Sequence, residues 1–112
     1  TALTHEMSTE VGKNTKLSML TGLHFHHLDG LNAFLYETGV GVENQKSRTS
    51  VNIHSEGAIN NAVPLWVPGS ERKIDMNLRQ GIGERLYIGA EGYQSFENLE
   101  NHYFGVKFGG KF

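Results

Sequence analysis

The sequence contains no cysteine and only two prolines, Pro64 and Pro68. Without cysteine the chain can form neither a disulfide framework nor a thiolate metal site. An excess of basic residues is also missing, because Lys+Arg number 10 against Asp+Glu 12 and the formal net charge is -2. That balance argues against a general nucleic-acid binder, so we expect no nucleic-acid partner.

Long apolar runs are missing as well. No run of about 18 apolar residues occurs, which excludes a transmembrane helix in this sequence. It does not exclude a transmembrane β-barrel, because the strands of such a barrel alternate apolar and polar residues and are only mildly hydrophobic. The sequence begins at Thr1 without an apolar leader segment, so we expect that any signal peptide has already been removed.

The sequence does contain stretches in which apolar and polar residues alternate with period two. Successive side chains of a strand point to opposite faces, so this alternation predicts strands. Seven stretches show it, at residues 3–11, 16–27, 31–43, 48–60, 73–82, 85–93 and 102–112. Asp29-Gly30 favours a tight hairpin turn, and both prolines lie in the irregular segment 60–72. No stretch has the period of an amphipathic helix.

These stretches predict an all-β fold, an antiparallel up-and-down meander that forms a transmembrane β-barrel or part of one. We expect a single β-barrel domain over residues 1–112. Alternation alone has two interpretations, because the polar face meets water in a soluble sheet and the lumen in a membrane barrel. Strands of about ten residues or more favour the barrel, as does a short turn at 83–85 between longer loops at 61–72 and 95–101.

Aromatic residues near the predicted strand ends also favour the barrel, because a transmembrane barrel carries an aromatic girdle at each membrane interface. The residues expected in such a girdle are Tyr36, Tyr87, Tyr93, Phe96, Tyr103 and Phe104.

Charged residues and a histidine lie opposite the apolar stripes, and we expect them to face the interior of the barrel. They are Arg48, His54, Glu56, Lys73, Asp75, Arg79, Arg85 and Glu91. Both signs are present, so we expect a mixed-sign network in which opposite charges relieve each other's desolvation. Apolar residues of the same strands, such as Ile53 and Met76, are expected to face lipid.

The last stretch places four apolar residues on one face, namely Phe104, Val106, Phe108 and Phe112. Together with residues 86–93, it makes the segment 72–112 resemble the C-terminal end of bacterial outer-membrane β-barrels, in particular the translocator barrel of autotransporters. The run 17–43 is similar to mid-barrel strands of that family. The barrels of that family are much longer than this chain. We therefore expect part of a larger barrel, or a smaller barrel of about eight strands.

The resemblance implies a location in the bacterial outer membrane, with membrane lipid and the outer-membrane assembly machinery as partners. It also implies that Phe104, Val106, Phe108 and Phe112 form the assembly signal. The expected function is a non-enzymatic barrel that anchors or translocates a passenger domain, or forms a small pore. Two alternatives stay open, a soluble antiparallel β-barrel that binds a small apolar ligand and a small outer-membrane lipid-modifying hydrolase.

Candidates for chemistry are few. Ser50, His54 and Glu56 share a face and form a candidate nucleophile–base–orienter set, although a hydrogen-bond network explains them better. His24 and His26 also share a face, so two imidazoles can meet one ion, but the sequence places no third ligand. We therefore expect no cofactor and assign no catalytic or metal-binding residue. Trp66, between the two prolines, is either a binding tip or a residue packed on the barrel rim.

Overall fold

The structure, a computed structural model, describes residues 2–28, 30–59 and 69–110. It has seven β-strands, which are β1 (Ala2–Gly12), β2 (Thr15–Leu28), β3 (Leu31–Asn44), β4 (Thr49–Ala58), β5 (Lys73–Ile82), β6 (Leu86–Ser95) and β7 (His102–Gly110). They form one sheet in the order β1 to β7, with every neighbouring pair antiparallel. The seven-stranded up-and-down meander expected from the sequence is therefore confirmed. No helix long and apolar enough to cross a membrane occurs in these residues.

Short turns connect several of the hairpins. Asn14, between β1 and β2, has φ 66, a left-handed conformation that asparagine adopts more readily than most residues. Gly30 has φ 79 directly before β3, and Leu28 pairs with Leu31. This agrees with the hairpin predicted from Asp29-Gly30, although Asp29 itself lies outside the described residues. Gly83, with φ 63, starts the predicted short turn between β5 and β6.

The register of the strands places apolar residues side by side on one face. Residues that pair directly in antiparallel strands point to the same side of the sheet. One row across all seven strands consists of Thr9, Leu17, Val42, Val51, Leu78, Ala90 and Val106. The next row consists of Met7, Met19, Val40, Ile53, Met76, Gly92 and Phe104. The side of the sheet that carries these rows is called the apolar face.

The opposite side, called the polar face, carries the charged rows. One consists of Glu6, Leu20, Gly39, His54, Asp75, Tyr93 and Tyr103. Another consists of Glu10, Lys16, Glu43, Ser50, Arg79, Gly89 and Lys107. The period-two split predicted for β4 and β5 is therefore correct, since Ile53 and Met76 lie opposite His54 and Asp75.

The buried core of the described residues is small and lies at one end of the sheet. Ala33, Leu35 and Ala58 are buried, with Leu31 packed against them. Segment 69–72 returns to this end, where the amide of Ala58 donates to the carbonyl of Ser70 at 3.0 Å. Most apolar side chains of the strands are therefore outside any core.

The sheet is open. β1 and β7 each pair with a single neighbour, and no contact joins these two edge strands within the residues described. From the sequence we expected the meander to close into a barrel or to form part of a larger one. These seven strands do not close. An open edge leaves a row of N–H and C=O groups without strand partners.

Candidate functional site

The apolar face is uncovered in the part of the chain that the structure describes. Many of its large apolar side chains are 37% to 72% exposed, among them Leu3, Met7, Met19, Leu23, Phe34, Val40, Val42, Ile53, Ile74, Met76, Leu78, Ile82, Ile88, Phe104, Val106 and Phe108. Monomeric soluble proteins rarely expose a contiguous apolar patch larger than a few hundred Å². Here exposed apolar side chains occur on all seven strands of the sheet.

The expected assembly-signal residues lie on this face at the β7 edge. Phe104, Val106 and Phe108 are among the most exposed apolar residues, at 72%, 65% and 70%. β7 has a paired strand on one side only, so these side chains border an open edge. Phe112 lies outside the described residues. The structure thus groups three of the four residues, while their role in assembly stays a prediction.

The centre of the polar face carries a chain of four side chains, here called the His–carboxylate chain: His24, Glu37, His54 and Asp75. His24 Nε2 is 3.0 Å from Glu37 Oε1, and His54 Nε2 is 3.5 Å from Glu37 Oε2. His54 Nδ1 is 3.3 Å from Asp75 Oδ2. Each residue comes from a different strand, β2 to β5. The chain therefore ties four strands together across the face.

Further charges beside this chain also have partners of opposite sign. Glu56 Oε1 is 3.2 Å from Lys73 Nζ, and Glu91 Oε2 is 2.7 Å from Lys107 Nζ. Lys73 Nζ also lies 5.9 Å from the centre of the Tyr93 ring. These pairs have the mixed sign that the sequence led us to expect.

A second region of the polar face lies at the end of the sheet where the β3–β4 and β5–β6 turns meet. A cavity of about 840 Å³ there is lined by three arginines, Arg48, Arg79 and Arg85, here called the arginine group. Among the described residues, no carboxylate lies within ion-pair distance of these guanidinium groups. The ion pairs found beside the His–carboxylate chain therefore do not extend to the arginines of this region.

Two members of the arginine group are held in place by other contacts. Arg48 Nη2 donates to the carbonyl of Gly83 and, at 2.9 Å, to that of Leu86. The guanidinium of Arg79 lies over the ring of Tyr87, 3.8 Å from its centre. Stacking on a ring restrains a guanidinium while its N–H groups at the edge stay available to other acceptors.

The loops at the other end of the sheet form a separate polar cluster. Asn101 Nδ2 donates to Glu71 Oε1 at 2.8 Å, and Arg72 Nη1 is 3.0 Å from Glu97 Oε1. Hydrogen bonds to the Glu71 carboxylate, first from Ser95 and then from Asn101, lower its pKa below the ordinary glutamate value. These contacts connect segment 69–72 to the β6–β7 loop.

The described residues form neither the catalytic set nor the metal site that the sequence suggested as candidates. His54 faces Glu37 and Asp75, and Glu56 faces Lys73, so the set with Ser50 as nucleophile does not form. No group of three or more His, Asp or Glu side chains there could hold a metal ion. His24 instead pairs with Glu37. Trp66 lies outside the described residues.

The predicted aromatic girdle is wrong for three tyrosines. Tyr93 and Tyr103 belong to the polar face, where they pair across strands and stack with ring centres 6.1 Å apart. Tyr87 also lies on that face, under Arg79. Tyr36 and Phe104 do lie on the apolar face, since they pair with Leu23 and Gly92.

All eight residues predicted to face the interior are on or border the polar face, but sequence reasoning missed Glu37. The β2–β3 hairpin could have indicated the position of Glu37. A two-residue hairpin turn predicted at Asp29-Gly30 would set Glu37 opposite Gly22, and β2 and β3 do pair in this way, one row from His24. A Cβ atom on Gly22 would lie 2.8 Å from Glu37 Cγ, so the missing side chain at Gly22 gives Glu37 its space beside His24.

Comparison of the chain with protein-family models, curated proteins and solved structures gives no match. The resemblance to autotransporter translocators therefore rests on the sequence pattern alone.

Proposed function

We propose that this chain forms part of the wall of a transmembrane β-barrel in a bacterial outer membrane. In this proposal the apolar face meets lipid and the polar face meets the lumen. The observation that supports it most is that all seven strands contribute exposed apolar side chains to one face, while charged rows lie on the opposite face. Outward apolar and inward polar alternation is the pattern of such barrels.

Strand length and sheet edges fit the same proposal. The strands have 9 to 14 residues, and about 9 to 11 suffice to cross the apolar layer of a membrane at a tilt. In lipid an unpaired backbone group is costly, so the edges of β1 and β7 need strand partners there. We propose that further strands, or the two edges joined to each other, complete the barrel.

Within this proposal, the barrel anchors or translocates a passenger domain in the manner of autotransporters, and a small pore is the second possibility. Its partners are membrane lipid and the outer-membrane assembly machinery, which would recognise Phe104, Val106, Phe108 and Phe112. Arg48, His54, Glu56, Lys73, Asp75, Arg79, Arg85 and Glu91 would face the lumen. The proposed role is non-enzymatic.

Fractionation of Gram-negative cells that produce the protein tests the location. We expect the protein in the outer-membrane fraction, resistant to extraction by urea, with a faster gel mobility before boiling than after it. A protein that stays in solution without detergent would contradict the proposal and favour a soluble β-barrel with a small apolar ligand. Mass spectrometry of lipid A before and after exposure to the protein tests the lipid-modifying hydrolase, because only an enzyme would change the mass of the lipid.

Deletion of Phe112 tests the assembly signal separately. An aromatic ring at the membrane interface can bury its apolar body, and we expect assembly to depend on it more than the final fold does. The deletion should lower the amount in the outer membrane, while the purified variant still refolds in detergent. Unchanged outer-membrane levels would count against Phe112 as part of the signal.

A further inference from the structure

No member of the arginine group forms an ion pair with a carboxylate of the described residues. Three guanidinium groups line one cavity without an ion-pair partner, whereas Lys73 and Lys107 on the same face each have a carboxylate within 3.2 Å. Two glutamates, Glu43 and Glu84, also line the cavity, so three cationic side chains face two anionic ones. The cavity therefore has a local positive excess in a chain whose formal net charge is -2.

The three arginines and Glu84 lie on the β4–β6 side of the cavity, whereas Glu43 belongs to β3. In the register, Glu43 pairs with Ser50, and Ser50 pairs with Arg79. Two strand spacings, roughly 10 Å, thus separate the backbones of Glu43 and Arg79. No ion pair joins Glu43 to Arg79, and the β4 residue that pairs directly with Arg79 is the small, polar Ser50.

The guanidinium groups of Arg48 and Arg79 are also restrained by contacts within the sheet. Arg48 is fixed by the carbonyls of Gly83 and Leu86, and Arg79 is fixed by the ring of Tyr87. Restrained donors lose less conformational freedom when a ligand binds. The planar N–H fork of arginine matches the oxygen atoms of a phosphate in pairs, which a lysine ammonium cannot do.

From this arrangement we infer that the arginine group binds a small anion that carries a phosphate group. The cavity volume of about 840 Å³ lies within the range of small-molecule sites, roughly 300–1,000 Å³. The site belongs to the polar face whether or not that face lines a lumen, so the inference goes beyond the proposed function. The phosphate has two potential sources, a free phosphorylated solute or a lipid headgroup.

Calorimetric titration of the folded chain in a phosphate-free nonionic detergent tests the inference. Inorganic pyrophosphate is the first probe and a short-chain phosphatidic acid is the second. We expect saturable binding of pyrophosphate that weakens as salt concentration rises, because the contact is ionic. Binding of the lipid but not of pyrophosphate would assign the site to headgroups, and binding of neither at millimolar concentration would overturn the inference.

Matched variants identify the site. Arg79→Gln should weaken pyrophosphate binding about tenfold or more, and Arg79→Lys should give an intermediate loss because the charge stays while the fork is lost. Lys73→Gln removes the same charge from the same face, at an ion-paired position, and should change the affinity less than about twofold. Equal losses in Arg79→Gln and Lys73→Gln would show unspecific attraction and contradict the site.

Circular dichroism and gel mobility of unboiled samples confirm that each variant is folded. Should Arg79→Gln fail to fold, Arg85→Gln takes its place, because Arg85 lies in the β5–β6 turn, outside the strands. Arg85→Gln should also weaken binding several-fold. Unchanged affinity in that variant would remove Arg85 from the site and leave no three-arginine cavity to bind the anion.

Discussion

The two faces of the sheet are built on the same seven strands but are stabilised in different ways. On the apolar face, side chains such as Met76 and Val106 stay 44% and 65% exposed, with no second layer over them among the described residues. On the polar face, side chains contact one another across strands, as in the His–carboxylate chain. Much of the polar face is thus held by contacts between its own side chains, whereas many side chains of the apolar face are exposed.

The difference has a practical consequence for mutations. A change on the apolar face acts through whatever covers that face, so its effect depends on the surroundings of the protein. A change on the polar face acts through a named side-chain partner, so its effect should be similar in any surroundings that preserve the sheet. Three substitutions test this distinction and a fourth tests the loop cluster around Glu71, beginning with the largest expected effect.

Met76→Arg should have the largest effect. Met76 lies on the apolar face beside Ile53, and an arginine that faces the middle of a bilayer costs about 2–4 kcal/mol. The free energy of unfolding in lipid vesicles, measured by urea titration, should fall by that amount. Asn77→Arg is the control, because Asn77 is the next residue and lies on the polar face. Equal losses in the two variants would contradict the assignment of the faces.

Glu37→Gln should have the next largest effect. The substitution removes the negative charge between His24 and His54, and we expect a loss of about 1 kcal/mol, since the group is partly exposed. Glu43→Gln serves as control, because Glu43 lies on the same strand and face without an ion pair among the described residues. The same urea titration measures both. Indistinguishable variants would mean that the His–carboxylate chain adds no stability.

Gly22→Ala should disturb the same His–carboxylate chain, with a smaller loss of stability than Glu37→Gln. The new methyl group would lie 2.8 Å from Glu37 Cγ, so the flexible Glu37 side chain must move away from His24. We expect a loss of about 0.5 kcal/mol, the overlap outweighing the gain from a less flexible unfolded chain. Gly12→Ala meets no atom within 4 Å and should be neutral or slightly stabilising. If Gly22→Ala were more stable than the unaltered chain, this would contradict the close approach of Glu37 to Gly22.

Glu71→Gln should have the smallest effect, confined to acid pH. The folded-state pKa of Glu71 is lowered by Ser95 and Asn101, so its contribution is present above the ordinary glutamate pKa near 4.5. That contribution is lost as pH falls through the lowered folded value. Stability measured from about pH 6 down to about pH 3 should therefore fall slightly less in Glu71→Gln than in the unaltered chain. A steeper fall of stability in Glu71→Gln would mean that folding raises the pKa of Glu71 instead of lowering it.

Much of the fold follows from local sequence. The alternation in β4 and β5 predicts both strands and their faces, and the tight Asp29-Gly30 turn predicts the register of β2 and β3. The faces of Tyr87 and Tyr93 were also readable, because each alternates with Leu86 and Ile88. The girdle prediction failed since it used closeness to strand ends and ignored this alternation.

The sequence by itself therefore determined the strands, their order and the chemistry of each face, because these depend on neighbours along the chain and on short turns. The tertiary structure alone decided which charges are paired. Glu37 reaches His54 only through the β3–β4 register, which follows a turn where Arg48 adopts φ 53. Arg48 and Arg79 lack carboxylate partners in the described residues, and the fold places them beside Tyr87, Ser50 and backbone carbonyls instead. Such pairings depend on distances between strands, which alternation does not encode.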